Sequence, residues 1–261
     1  MESGVRDLQD IKPASHIITN KKVFSLITRD RLLGKHILDI GAGRGFMAQQ
    51  IGHYIAERGG NPKHILTACD LFPEYFEYDA IECNKFDFAN SLPYDDCSYD
   101  IVYAIEVIEH FENPVDFIRE AYRILRRGGT FIITTPNVLN INSRLSYLMH
   151  GFFVLFGPVS FDKNDSVGLL GHIMPLSYYY LDYFMRKEGF VEVELHIDRI
   201  KKSALFYYLL LFPIIRFSSS LKKIKIRKKN AKLFLETEKQ IKIMNSFKML
   251  CSRSCILVGH K

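Results

Sequence analysis

The sequence predicts an α/β protein: a parallel β-sheet with helices on both faces. Two observations carry this. Short apolar or β-branched runs alternate with helix-length segments from about residue 36 to 135, the signature of βαβ units. Several runs also end in an acid or a glycine turn, as buried strands that reach a surface crevice do. The chain has 261 residues, 48% hydrophobic and 25% charged, which suits one domain with insertions and excludes wholesale disorder or a collagen-like repeat.

The elements follow in order. Residues 1–34 are polar, with Val23, Leu26 and Ile27 on one helical face. His36–Ile40 reads as a buried strand, and Phe46–Ile55 as a helix closed by Gly59–Gly60. His64–Cys69 is a second strand ending at Asp70, and Ile81–Phe86 a weaker third ending at Asp87. Asp100–Ala104 is the fourth. A helix opens at Asn113–Pro114, with proline near its first position, and runs to about Arg127, where Gly128–Gly129 stops it. Thr130–Thr135 is the fifth strand. Residues 138–171 are aromatic-rich and read as an inserted cap. Residues 172–200 resume the core with a helix over Pro175–Glu188 and a strand over Val191–Ile197. Residues 201–250 form an apolar and basic insertion, and residues 251–261 hold the final strand.

The net charge of +6 hides a split: residues 201–261 carry 15 Lys/Arg and 2 Asp/Glu, so the first 200 residues are net acidic. The insertion joins an apolar run, Ala204–Phe217, to a basic run, Lys222–Lys229. This suits an anionic membrane surface, while packing of the apolar run on the core is the plainer alternative. Nucleic acid is not expected, because the basic run lacks interleaved aromatics. The apolar run is interrupted by Pro213 and is expected to be too short to cross a bilayer. The five cysteines form no C-x-x-C pair, and no apolar secretory segment is visible, so the expectation is a cytoplasmic protein, peripheral at the inner membrane face.

The strongest local motif is Asp39-Ile-Gly41-Ala-Gly43-Arg-Gly45, between a strand and a helix. Its glycines let the backbone turn tightly, and the helix start offers free N–H groups. The sixth position is Phe46 rather than the glycine of a dinucleotide fingerprint, so the loop suits a small ligand with a carboxylate or amine tail. Asp70 and Asp87 end neighbouring strands, where an acid can hold ribose hydroxyls, and Leu71 and Phe88 beside them offer apolar surfaces for a base.

With these residues in place, the chain resembles the class I S-adenosylmethionine-dependent methyltransferases. The match runs from His36-Ile-Leu-Asp39-Ile-Gly41-Ala-Gly43-Arg-Gly45 through Asp70 and Phe86-Asp87-Phe88. It continues through Tyr99-Asp-Ile-Val-Tyr, Glu106-Val-Ile-Glu109-His110 and Gly128-Gly129 to Thr134-Thr-Pro136-Asn137. The resemblance implies a Rossmann-like, seven-stranded, mostly parallel sheet, with residues 1–137 as its cofactor-binding half and S-adenosylmethionine as cofactor. It implies that Asp39, Gly41 and Gly43 line the methionine part, Asp70 holds the ribose, Asp87 holds the adenine, and Ala104 to Glu106 sit beside the sulfonium. One departure is visible: the last two strands are usually a near hairpin, yet about 50 residues intervene here.

His110 is the expected base for a hydroxyl acceptor, with Glu106 beside it. No metal is expected, though Glu106, Glu109 and His110, with His172, make an alternative divalent-ion site for an RNA-end or quinone-like acceptor. The leading expectation is O-methylation of a small molecule or a sugar of a surface glycan or lipid-linked precursor. A rival of another class is a non-catalytic module of the same fold docking at a membrane or partner.

Overall fold

The structure, a computed structural model, describes residues 11–86, 91–162 and 171–261. Seven strands form one sheet in the order β3-β2-β1-β4-β5-β7-β6. They are β1 (Ile37–Ile40), β2 (Leu66–Asp70), β3 (Cys83–Lys85), β4 (Tyr99–Ile105), β5 (Leu125–Pro136), β6 (Val191–Ile197) and β7 (Ser254–His260). All contacts among β1 to β5 are parallel, and β7 alone runs against its neighbours β5 and β6.

The helices are α1 (Ile17–Ile27), α2 (Phe46–Ala56), α3 (Pro62–Ile65), α4 (Pro114–Ile124), α5 (Ile141–His150), α6 (Tyr178–Glu188), α7 (Lys202–Lys229), α8 (Ala231–Met244) and α9 (Phe247–Cys251). The strand alternation sorts them into two layers. Leu38, Ile40, Val102, Phe131 and Ile133 face a core with Ile118 and Ala121 of α4 and Leu181 and Met185 of α6. Ile37, Ile101, Tyr103 and Ile132 face the other, with Val23 and Ile27 of α1 and Ile51 and Ile55 of α2. Successive strand residues point to opposite faces, so a sheet covered on both sides needs continuous apolar strands.

Two boundaries differ from the sequence reading. Gly128–Gly129 does not merely stop a helix. It lies inside β5, where Gly128 has a positive φ and its N–H bonds the Lys261 carbonyl at 2.7 Å. The apolar and basic runs of the insertion also form one continuous helix, α7, 28 residues long, that passes through Pro213. A proline inside a helix removes one hydrogen bond and strains one turn without ending it when the flanking turns hold. By length and composition α7 is long and apolar enough to cross a membrane, contrary to the expectation from the interrupted run.

Along α7 one face packs. Ala204, Tyr208, Leu211, Phe212 and Ile215 join Ile141 of α5 and Leu250 and Cys251 of α9 in a small third cluster. The chain then turns at Asn230, whose side chain caps Leu233 N at 3.0 Å, and returns as α8.

Candidate functional site

The β1–α2 turn builds the floor of a cavity of about 690 Å³ at the carboxyl ends of β1, β2 and β4, a volume usual for small-molecule sites. Gly41 has φ +71°, and a Cβ there would lie 2.4 Å from Val107 Cγ2, so the turn can close only on glycine. Gly41 and Ala42 donate their N–H groups to the Cys69 carbonyl, at 2.8 and 3.1 Å. These bonds tie the loop to β2 and set Asp70 opposite it. Asp70 accepts from Gly43 N at 2.8 Å and from Phe72 N at 2.9 Å, which fixes the carboxylate facing the loop.

Asp39, Gly41, Gly43, Asp70 and Leu71 all line this one cavity. Asp39 is buried, and its Oδ2 has no hydrogen-bond partner. Burial pushes its carboxyl up to about 7. A buried carboxylate beside a glycine loop, with the Tyr103 hydroxyl as its neighbour, fits a ligand bearing an ammonium group. Asp70 at the end of β2 fits a diol. The residues present therefore fit S-adenosylmethionine. Asp87 and Phe88 lie outside the described residues.

Ala104 does not line the cavity. It is fully buried in the core on the α4 side. The parity of β4 turns Ile105 to the opposite face from Ala104, and Glu106, past the strand end with a positive φ, reaches the cavity from the turn. The sequence reading also missed the N-terminal segment, where Pro13, Ala14, Ser15 and Asn20 form one wall. Asn20, buried at the start of α1, donates to Ser15 Oγ at 2.8 Å and to the His16 carbonyl at 3.0 Å. A polar residue where the helix face should be apolar was the available signal. Arg44 and Glu77 form an ion pair at the mouth.

The far end of the cavity is made by the turn after β4. Glu106 has φ +54°, a strained conformation for a non-glycine residue, and its N–H donates to Thr134 Oγ1 at 2.9 Å. Its carboxylate is bound by Arg253, and Ser254 Oγ lies 3.2 Å from the same oxygen. Asp198 accepts from Ser254 N at 3.0 Å and from Thr19 Oγ1 at 3.2 Å, extending the network to α1. Arg253, Ser254 and Asp198 carry no motif, so sequence spacing could not have found them. Glu106 is thus a paired residue at the wall, and it is not grouped with Glu109 and His110.

The residues that do meet are Glu109, His110 and His172. One ligand atom from each lies within 4.8 Å of the others. The backbone sets this up, because the Glu109 carbonyl accepts from Ile173 N and Met174 N at 3.0 Å and so docks the segment carrying His172 onto the turn. His110 Nδ1 lies 3.0 Å from the Gly171 carbonyl. Donation to that carbonyl leaves Nε2 as the free lone pair. Burial lowers both histidines below the ordinary range, and His172 lowers His110 further, so both rings are neutral at pH 7. Glu109 is fully buried, and burial pushes its carboxyl up to about 8. Thr135 is the hydroxyl neighbour of its carboxylate, and no basic side chain among the described residues pairs with it. Such a set can hold either a proton or a divalent cation taking nitrogen and oxygen ligands.

With this geometry in view, comparison with known proteins is informative. Residues 38–133 match a family described as "Methyltransferase domain". A probable S-adenosylmethionine-dependent methyltransferase of Mycolicibacterium smegmatis is 32% identical over 135 residues, 52% of this chain and 51% of that protein. A ubiquinone biosynthesis O-methyltransferase of Vibrio vulnificus is 28% identical over 155 residues, 56% of this chain and 62% of that protein. The matched region therefore spans about half to three-fifths of these curated relatives. A crystal structure of a SAM-dependent methyltransferase from Archaeoglobus fulgidus superposes with TM-score 0.54 at 15% identity, over 93% of this chain and 94% of that one. Phosphoethanolamine N-methyltransferase 2 of Haemonchus contortus, in complex with S-adenosyl-L-methionine, gives 0.53 at 17%, over 97% of this chain and 54% of that one. At these identities the two structures establish the fold.

Proposed function

Because this chain belongs to the class I S-adenosylmethionine-dependent methyltransferases, we propose that it O-methylates a hydroxyl of a small molecule, or of a sugar in a surface glycan or lipid-linked precursor. S-adenosylmethionine is the cofactor, and it supplies an electrophilic methyl group on a sulfonium. Asp39, Gly41, Gly43 and Asp70 would hold it, by the fit described above.

The observation that carries the hydroxyl reading is His110. It lines the same cavity as the glycine loop, burial lowers its basicity, and its Nδ1 is held by the Gly171 carbonyl, which puts the lone pair on Nε2. A neutral imidazole so placed would take the proton of the acceptor hydroxyl, while the cofactor's methyl–sulfur bond would break and its electron pair leave on sulfur as a neutral thioether. Glu106, locked by Arg253, contributes a fixed negative wall that favours the resulting imidazolium.

A second reading has its own support. The buried Glu109 carboxylate, with His110 and His172, fits a divalent cation that would orient and acidify the acceptor hydroxyl. The ubiquinone biosynthesis O-methyltransferase name of a relative agrees with a phenolic acceptor under this reading.

One experiment separates them. Methyl transfer from radiolabelled cofactor is measured against a panel of phenols, catechols and sugars, with a chelator and with added magnesium. Activity unchanged by chelation supports His110 acting alone. Loss on chelation with rescue by magnesium moves the assignment to the cation. No transfer to any hydroxyl, with transfer to amines or thiols, overturns O-methylation.

A further inference from the structure

We propose that α7 is a membrane-docking helix that lies in the plane of an anionic bilayer. The proposal does not rest on the methyl-transfer reading.

The first observation is a bare apolar stripe. Phe206, Leu210, Ile214, Phe217, Leu221 and Ile224 recur at helical spacing and are all exposed, Leu210 at 62% and Phe217 at 68%. They span about 27 Å along one side of the helix. The opposite side is the one that packs on α5 and α9. Water is therefore left against a continuous apolar strip that none of the other described residues covers. A strip of this extent on a soluble surface marks an interaction site.

The second observation is charge. From residue 199 to 235 there are eleven Lys/Arg and no Asp or Glu, and six of the basic residues lie in the last turns of α7, Lys222–Lys229. A bare apolar stripe continued by a basic end complements a surface that is apolar inside and anionic at its face, namely lipid acyl chains under phosphate headgroups.

The helix lies on the bilayer and does not cross it, although its length and composition would allow a crossing. Both of its ends return to one body. At its start Lys201 N bonds the Cys251 carbonyl at 2.8 Å, and Asn142 Nδ2 bonds Ser203 Oγ at 2.7 Å. After its end the chain runs back as α8, which carries Lys232, Glu236, Glu238, Lys239 and Lys242 in 14 residues. α8 is pinned to α6 by Gln240 Nε2 to Asp182 Oδ2 at 3.1 Å. A crossing would drag these charges through the hydrocarbon, at several kcal/mol in total on insertion scales. Lying flat costs none of this.

The root of α7 also adjoins the site. Arg199 contacts His16 next to the cavity wall, and Cys251, which holds Lys201, is two residues from Arg253. Docking through α7 sets the catalytic body close to the lipid surface, where a lipid-borne acceptor would be presented.

The test uses the full chain and two kinds of vesicle, phosphatidylcholine alone and phosphatidylcholine with about a third phosphatidylglycerol. The chain has no Trp, so Leu210→Trp gives a single reporter on the stripe. The expected result is flotation with the anionic vesicles only, with a blue shift of the Trp emission. Replacing Lys222, Lys223, Lys225 and Arg227 by Gln should reduce partitioning at least tenfold, because each basic residue near an anionic surface adds to the attraction. Leu210→Asp with Phe217→Asp should abolish the binding. The substituted side chains are exposed, apart from the half-buried Lys223, and cofactor binding by calorimetry verifies that each variant is folded. Three results overturn the proposal: no flotation with anionic vesicles at low salt by a protein that binds cofactor, binding without a blue shift, or light scattering showing a dimer that Leu210→Asp with Phe217→Asp dissociates. The last would mean that a second copy covers the stripe.

Discussion

The two ends of the cavity are built on different principles. At one end the main chain does most of the work: Gly41, Ala42 and Gly43 turn over β1 and bond Cys69 and Asp70 within a stretch of about 30 residues. At the other end, side chains from distant parts of the chain converge. Glu106 meets Arg253 across 147 residues, and His110 meets the segment carrying His172. A backbone-made site tolerates changes around it and is unforgiving of a side chain placed in it. A site made by converging side chains is lost piece by piece, and each piece has a separate role. The contrast predicts that substitutions at the two ends separate cofactor binding from turnover.

The largest effect is expected at the converging end. His110→Ala should lower turnover by about 10³-fold while leaving cofactor affinity, read by calorimetry, within a few-fold of the parent. Equal loss of both would erase the distinction between the ends. Next comes Gly43→Asp, expected to weaken cofactor binding about 100-fold. A Cβ there has Ala14 as its nearest neighbour at 3.9 Å, and Asp accepts a φ of +53° better than most residues, so the fold should survive. Near-parental affinity would show that the loop does not approach the cofactor.

Arg253→Met tests whether the distant partner is structural or positional. The pair is largely buried, so its removal should cost about 2 kcal/mol of stability in denaturant unfolding. Turnover should fall further than cofactor affinity as Glu106 loses its hold. Arg253→Lys should restore much of the loss, because one guanidinium nitrogen, Nη1, makes the contacts to both Glu106 and Ser254 and an ammonium can donate to both.

The smallest effect concerns pH. Asp39 has its folded carboxyl raised from 3.8 to about 7, so the folded state binds more protons than the unfolded state between those values. Stability of the cofactor-free protein therefore falls as pH rises through that window and levels off above it. Asp39→Asn should remove that slope and raise stability at pH 8 by about 1–3 kcal/mol, while weakening cofactor binding. An unchanged pH profile in thermal melts would show that Asp39 is ionised in the folded protein.

The same contrast explains what could be read from the sequence. The strands, the order of acids at their ends and the glycine turn are local patterns, so Asp39, Gly41, Gly43, Asp70 and Leu71 could be assembled from spacing and resemblance. Ala104 was misplaced by one position, because motif proximity does not fix which face of β4 a side chain takes. Arg253, Ser254 and Asp198 were invisible, since no local pattern marks a residue whose partner is a hundred or more positions away. The wall from Pro13 to Asn20 belongs to a segment that reads from sequence only as polar, with a helical face at Val23, Leu26 and Ile27, and nothing local marks its place over the cavity. The continuity of α7 was missed because Pro213 was read as a break, whereas the turns on either side hold it.

β7 has a consequence for the life of the chain on the ribosome. It follows every other element, yet it lies between β5 and β6 and closes the sheet. Arg253, immediately before it, is the residue that holds Glu106. The glycine-loop end of the cavity draws on residues 39–70, made long before Arg253, while Glu106 gains its partner only once Arg253 and β7 have been added. The two ends of one cavity are therefore separated in the order of synthesis as well as in construction.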